Sequence, residues 1–194
     1  MSQLRAVCVF CGSYTGDRPE YGRAAAELGE ELVARGASLV YGGGRIGLMG
    51  VIADAVLAAG GQVTGVIPEH LVSHEVAHSG LTQLRVVGSM HERKQLMFDL
   101  SDAFIAMPGG LGTLEELLEI TTWAQLALHR KPVGILDVLD FYGGLTAQLD
   151  HAALRGFLTP RTRGLLLRDD SAARLLDRLA AHAVPSPPLD RRLT

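Results

Sequence analysis

Three times the chain runs from a short apolar, β-rich stretch straight into a glycine-bearing turn and on into a helical stretch: AVCVF into CGSYTG, SLVY into GGGRIGLMG, and AFIAM into PGGLGTLEE. A strand with no polar alternation is covered on both faces, which is the condition of a parallel sheet with helices on either side. Repetition of that unit predicts an α/β fold, a doubly wound and mainly parallel sheet flanked by helices, Rossmann-like in plan. Strands are expected at 6–10, 38–41, 62–67, 84–87, 103–107 and 132–136, with a short last one at 165–167. Helices are expected at 19–35, 48–59, 90–100, 113–129, 141–155 and 171–183. Residues 68–80 hold three of the seven histidines and little periodicity, and read as a loop over the sheet edge that could serve as a lid. The 194 residues have room for one domain, 1–183, followed by a proline-broken tail, VPSPPLDRRLT at 184–194, expected to be flexible.

Composition narrows the partners. A formal net charge of −3 gives no general attraction to a polynucleotide backbone, and no local basic patch replaces it, so no nucleic-acid partner is expected. No window approaches the roughly 20 apolar residues of a membrane-spanning helix. The N-terminal MSQLRAVCVF lacks the pattern of a leader, and the expectation is a cytoplasmic protein. Cys8 and Cys11 stand at a CxxC spacing, but Cys8 falls inside a buried strand and no second pair completes a zinc site. They read as unpaired structural thiols of a reducing compartment, with a redox role the alternative.

The strongest chemical signal is FIAMPGGLGTLEELLEI, residues 104–120. Glycines at 109, 110 and 112 let backbone N–H groups approach an anion without Cβ obstruction, and the following helix adds the positive end of its dipole. Thr113 can cap that helix or offer its hydroxyl to a phosphate, and glutamates follow in what reads as the first turn. The turn is neither a Walker loop nor a GxGxxG dinucleotide turn. Any one such turn can need glycine for geometry alone. Three of them at the carboxyl ends of parallel strands describe a nucleotide-sized crevice. Arg93 and Lys94, in SMHERKQLMF, stand near the start of a helix, a poor place for cations unless an anion or carboxylate compensates them.

PGGLGTLEE at 108–116 resembles the PGGxGTxxE signature of the LOG ("Lonely Guy") family, the cytokinin riboside 5′-monophosphate phosphoribohydrolases, and MHERK resembles the family's second motif. CGSYTG, YGGGRIGLMG, GVIPEHL and ITTWAQLALH match in the same order, so the resemblance runs from about residue 5 to residue 160. Two departures are visible: Ser89 stands where many relatives have Asp, and Leu111 where Tyr is frequent. Such proteins have also carried the label lysine decarboxylase, but no pyridoxal-phosphate lysine motif is apparent here.

The resemblance implies that Arg93 and Glu116 form the catalytic pair. It implies that Gly110, Leu111, Gly112 and Thr113 hold the 5′-phosphate, helped by Ser13 and Gly44. Glu75, Lys94, Leu114, Glu115 and Thr122 fall at positions that contact the nucleotide. The substrate implied is a purine riboside 5′-monophosphate, with no cofactor and no metal, and the family habit implies a homodimer, for which the helix bearing Trp123 and the LALH run offers an apolar face. The alternatives are a module that binds a nucleotide or a molybdenum-cofactor-like ligand without turnover, and a nucleotide-sensing regulatory subunit. Pure binding would need the loops but not the Arg93 and Glu116 pair.

Overall fold

The computed structural model describes residues 4–72 and 77–182. Seven strands form one sheet in the order β4-β3-β2-β1-β5-β6-β7, every pairing parallel. They are β1 (Ala6–Phe10), β2 (Ser38–Tyr41), β3 (Val63–Pro68), β4 (Gln83–Val87), β5 (Ala103–Ala106), β6 (Val133–Leu136) and β7 (Leu166–Asp169). The helices are α1 (Pro19–Ala34), α2 (Gly47–Ala58), α3 (Met90–Asp99), α4 (Leu111–Gln125), α5 (Gly143–Leu154), the one-turn α6 (Pro160–Arg163) and α7 (Ala172–Ala181).

Alternate residues of the central strands point to opposite faces and bury two separate cores. Val7, Val9, Leu39, Tyr41 and Ile105 meet α1, α2 and α7 through Leu28, Leu32, Ile52, Leu175 and Leu179. Cys8, Phe10, Phe104 and Ile135 meet α3 and α4 through Met97, Leu117 and Ile120, and Tyr142, just ahead of α5, closes the same core. Each fully buried Leu or Ile contributes on the order of 2 kcal/mol.

The winding reverses between β1 and β5: β2, β3 and β4 lie outward on one side, and β6 and β7 on the other. In such a sheet the crevice for a ligand opens where the two directions part, beyond the carboxyl ends of those strands.

Most expected elements stand within a residue or two of their predicted bounds, and three differ in ways that matter. Helix α4 starts at Leu111 rather than Thr113, with Gly110 as N-cap and no side-chain cap, so Glu115 and Glu116 lie in its second turn. Phe141 and Tyr142 lie ahead of α5: they end a strap from Val138 in which Leu139 and Asp140 take left-handed backbone angles, φ 55° and 57°. Each such non-glycine residue costs about 1–2 kcal/mol. Among the described residues of 68–80, Glu69–Leu71 form a 3-10 turn and Ala77 bridges back to Gly44. The His78 amide donates to the Gly43 carbonyl, and its ring pairs with Asp54 at 2.9 Å while accepting from the Gly80 amide. Glu75 and the tail 184–194 lie outside the described residues.

Candidate active site

Gly12 joins the three glycine-bearing turns. Its amide donates to the Pro108 carbonyl at 3.0 Å and its carbonyl accepts from the Leu48 amide at 3.0 Å, so the turns after β1, β2 and β5 meet through one residue. A cavity of about 510 Å³ opens over this junction, within the size range of small-molecule sites. Its lining includes Ser13, Gly42, Arg93, Gly109 to Thr113, Glu115 and Glu116. Leu71, Met90, Met97, Tyr21 and Phe141 supply apolar walls.

The floor on the β5 side is the PGG turn. The first-turn amides of α4 have no partner within the helix, and Gly110 brings no side chain to cap them. They are donors at the positive end of a 15-residue helix whose first residues line the cavity, the arrangement that holds anions. Thr113 is buried in the same turn.

Arg93 comes from α3, which Ser89 caps by accepting from the Glu92 amide at 3.1 Å, while the Glu92 carboxylate accepts from the Gly88 amide at 2.8 Å. Ser and Asp cap helices about equally well, so the departure at Ser89 leaves the helix start intact. The Arg93 side chain is 5% exposed; it donates to the Gly42 carbonyl at 3.3 Å and lies over the sulfur of Met90. A methyl group at Gly42 would overlap its guanidinium. Glu116 reaches the same cavity from α4.

Both charges are felt beneath the floor. Burial, and then the negative charge of Glu116, push the Cys11 thiol far above its ordinary range. Cys8 is pushed the same way by burial and Glu116, with Arg93 opposing. Both thiols are thereby held in the neutral form, Cys8 within the core and Cys11 at the cavity wall.

Of the residues singled out from sequence, the cavity gathers Ser13, Arg93, Gly110, Leu111, Gly112, Thr113, Glu115 and Glu116. Four others stand elsewhere. Lys94 donates to Glu115 at 2.6 Å and to Glu119 at 3.0 Å, and these bonds raise its pKa against the opposing effect of burial. It ties α3 to α4 alongside the site. Gly44 spends its carbonyl on the Tyr41 hydroxyl at 3.1 Å and faces Ala77. Leu114 packs into the core with Leu117, and the Thr122 hydroxyl bonds its own helix at the Leu118 carbonyl.

Sequence reading missed Gly42, whose lack of a side chain admits the guanidinium, and the strap residues Phe141 and Tyr142. The GGG run was signal enough for the first. Nothing in the sequence marks the second, because the strap's turn uses no glycine.

A family model described as "Possible lysine decarboxylase" matches residues 49–179. A rice protein (Oryza sativa subsp. japonica) named as a probable cytokinin riboside 5′-monophosphate phosphoribohydrolase is 50% identical over 184 residues, which cover 95% of this chain and 75% of that one. A cytokinin riboside 5′-monophosphate phosphoribohydrolase of Arabidopsis thaliana is 49% identical over 178 residues, 92% of this chain and 84% of the relative. Among solved structures, the molybdenum cofactor binding protein of the phototrophic bacterium Rippkaea orientalis superposes with a TM-score of 0.69 at 22% identity, covering 91% of this chain and 96% of that one. At that identity the likeness is one of fold. A pyridoxal-phosphate decarboxylase needs a lysine amine at its site. The chain has two lysines, and neither lines the cavity: Lys94 is tied to the α4 glutamates, and Lys131 lies over the Phe98 ring and donates to the Phe98 carbonyl.

Proposed function

Since the chain belongs to the LOG family of cytokinin riboside 5′-monophosphate phosphoribohydrolases, we propose that it hydrolyses the N-glycosidic bond of N6-substituted adenosine 5′-monophosphates, with Arg93 and Glu116 as the working pair. The products are the free purine base and ribose 5-phosphate. The observation that carries the assignment of roles is that a guanidinium from α3 and a carboxylate from α4 line one cavity with the open first turn of α4.

The reaction builds positive charge on the ribose at C1′ and negative charge on the departing base, so a site gains rate by stabilising both. Glu116 faces the ribose, supports the cation and takes a proton from the attacking water. The hydroxyl forms the new bond at C1′, the C1′–N9 pair of electrons leaves with the base, and the proton ends on that base. Arg93 orients Glu116 and offsets charge during cleavage. The α4 amides, Thr113 and Ser13 hold the 5′-phosphate, which positions the sugar and makes the nucleoside without phosphate a poor substrate.

Release of free base from isopentenyladenosine 5′-monophosphate and from AMP, followed by chromatography, tests this. Glu116→Gln is expected to lose at least about a hundredfold in rate while still folding. A variant that releases base at the wild-type rate removes Glu116 from the chemistry, and tight nucleotide binding with no release by the wild type turns the protein into a binding module. The same reading takes the protein as a cytoplasmic homodimer. Free buried thiols at Cys8 and Cys11 suit a reducing compartment, and Leu118, Leu126 and Leu128 leave an exposed apolar stripe around Trp123. Among the described residues no helix is long and apolar enough to cross a membrane. Sedimentation at twice 20.7 kDa, and at 20.7 kDa for Leu128→Asp, is the expected result.

A further inference from the structure

The PGG turn is held from two sides by unlike means. Toward β1 the bonds are backbone to backbone: the Met107 amide donates to the Phe10 carbonyl at 2.9 Å, and the Gly12 amide to the Pro108 carbonyl at 3.0 Å. Toward β6 the strand register with β5 ends at Ala106 opposite Ile135, one residue before Met107. There the carbonyl of Met107, the last residue before the turn, accepts a 2.7 Å hydrogen bond from the hydroxyl of Tyr142.

We infer that Tyr142 is a positioning residue for the phosphate-holding turn, its hydroxyl setting the plane of the Met107 carbonyl and so the direction in which Pro108, Gly109 and the first amides of α4 leave the sheet. The inference rests on the reading of that turn as the phosphate site. Tyr142 is 1% exposed, and burial pushes its phenol well above the usual value, so the hydroxyl keeps its proton to donate. Its backbone is fixed as well. The Tyr142 amide donates to one oxygen of Asp137 at 2.9 Å, and the Asp137 carboxylate, 3% exposed, accepts from Arg168 of β7 through its other oxygen. Arg168 also pairs with Asp140, one of the two left-handed residues of the strap. A guanidinium on the last strand thus holds the connection that delivers the phenol at its start and at its middle. A phenylalanine would fill the same space in the core but could not donate to the residue ahead of the turn.

The test is Tyr142→Phe, with ribose 5-phosphate and free adenine as competitive inhibitors of base release. The wild type is expected to be inhibited by both. In Tyr142→Phe, ribose 5-phosphate should weaken roughly five- to tenfold, the loss of one buried hydrogen bond, with adenine unchanged. KM for the monophosphate should rise by a similar factor and kcat should move less. Equal weakening of both probes, or of neither, overturns the role of Tyr142 while leaving the phosphate site in place. A wild type indifferent to ribose 5-phosphate overturns both. Arg168→Gln, which loosens the strap from its exposed end, is expected to give a smaller loss of the same selectivity, and supplies the reading should Tyr142→Phe not fold.

Discussion

The turns after β2 and after β5 are both rich in glycine, and they use it differently. In residues 42–50 the protein's own atoms forbid side chains: a methyl group at Gly42 would strike the Arg93 guanidinium, at Gly47 the Ser13 backbone, and at Gly50 the Arg45 carbonyl. In residues 108–113 only Gly109 is so confined, against Thr113 and Gly12. A methyl group at Gly110 or Gly112 would meet nothing within 4 Å, and neither residue has a positive φ. The first turn needs glycine to be built. The second needs it only at Gly109, and its two open glycines leave the cavity side clear for a ligand to approach.

The contrast can be broken by substitution. Gly47→Ala combines a left-handed backbone, φ 63°, with a backbone collision, and is expected to destabilise by about 3 kcal/mol, a fall in melting midpoint of roughly 10 °C. A variant that melts with the wild type would erase the structural half of the comparison. Gly42→Ala meets the far ends of two long side chains, the Arg93 guanidinium and the Met49 sulfur, and no backbone, so the neighbours can swing aside. Its midpoint should move little while base release falls about thirtyfold, or ~2 kcal/mol, because the guanidinium leaves its seat over β2.

Gly110→Ala sharpens the other half. Stability should stay within about 0.5 kcal/mol of wild type, and KM for the monophosphate should rise about tenfold, or ~1.4 kcal/mol. Gly144→Ala, equally open but remote from the cavity lining, should leave KM unchanged. An identical KM for Gly110→Ala would mean that no ligand comes near that face of the turn.

The smallest effect belongs to the opposite end of α4. There the His129 ring donates to the Ile120 carbonyl at 2.9 Å and accepts from the Lys131 amide at 3.1 Å, which requires the neutral form. Burial lowers its pKa from the usual 6.5. The unfolded chain therefore takes up the proton first, so this contribution is whole above about pH 6.5 and declines as pH falls below it toward the folded value. Melting scans from pH 7.5 to 5 should show a slight acid loss that His129→Gln flattens, with base release per folded molecule at pH 7.5 unaltered. A steep change in activity at neutral pH would instead tie that end of the helix to the site.

The sequence made the sheet legible because each central strand is a short apolar run closed by glycine, and β1 and β2 stand at their expected bounds. Arg93 and Glu116 were legible through motif resemblance, and the fold supplied what no motif could, their meeting in one cavity from two helices. The start of α4 was hidden because Gly110 caps without a side chain, so Thr113 looked like the capping residue. Lys94 carried a charge whose partners, Glu115 and Glu119, lie more than twenty residues away. Phe141 and Tyr142 fall inside the expected helix 141–155 because the left-handed turn at Leu139 and Asp140 ahead of them uses no glycine, and the partner of Asp140, Arg168, lies on β7.

That Gly12 ties the turns after β2 and β5 through its two backbone groups has a bearing on assembly. β1 is the sheet's innermost strand as well as its first in the chain, and the two turns it joins are some sixty residues apart. The cavity over that junction thus has no existence in either half of the polypeptide. A chain cut between β4 and α3 should neither bind ribose 5-phosphate nor release base from either fragment alone, and should recover both properties together when the halves recombine.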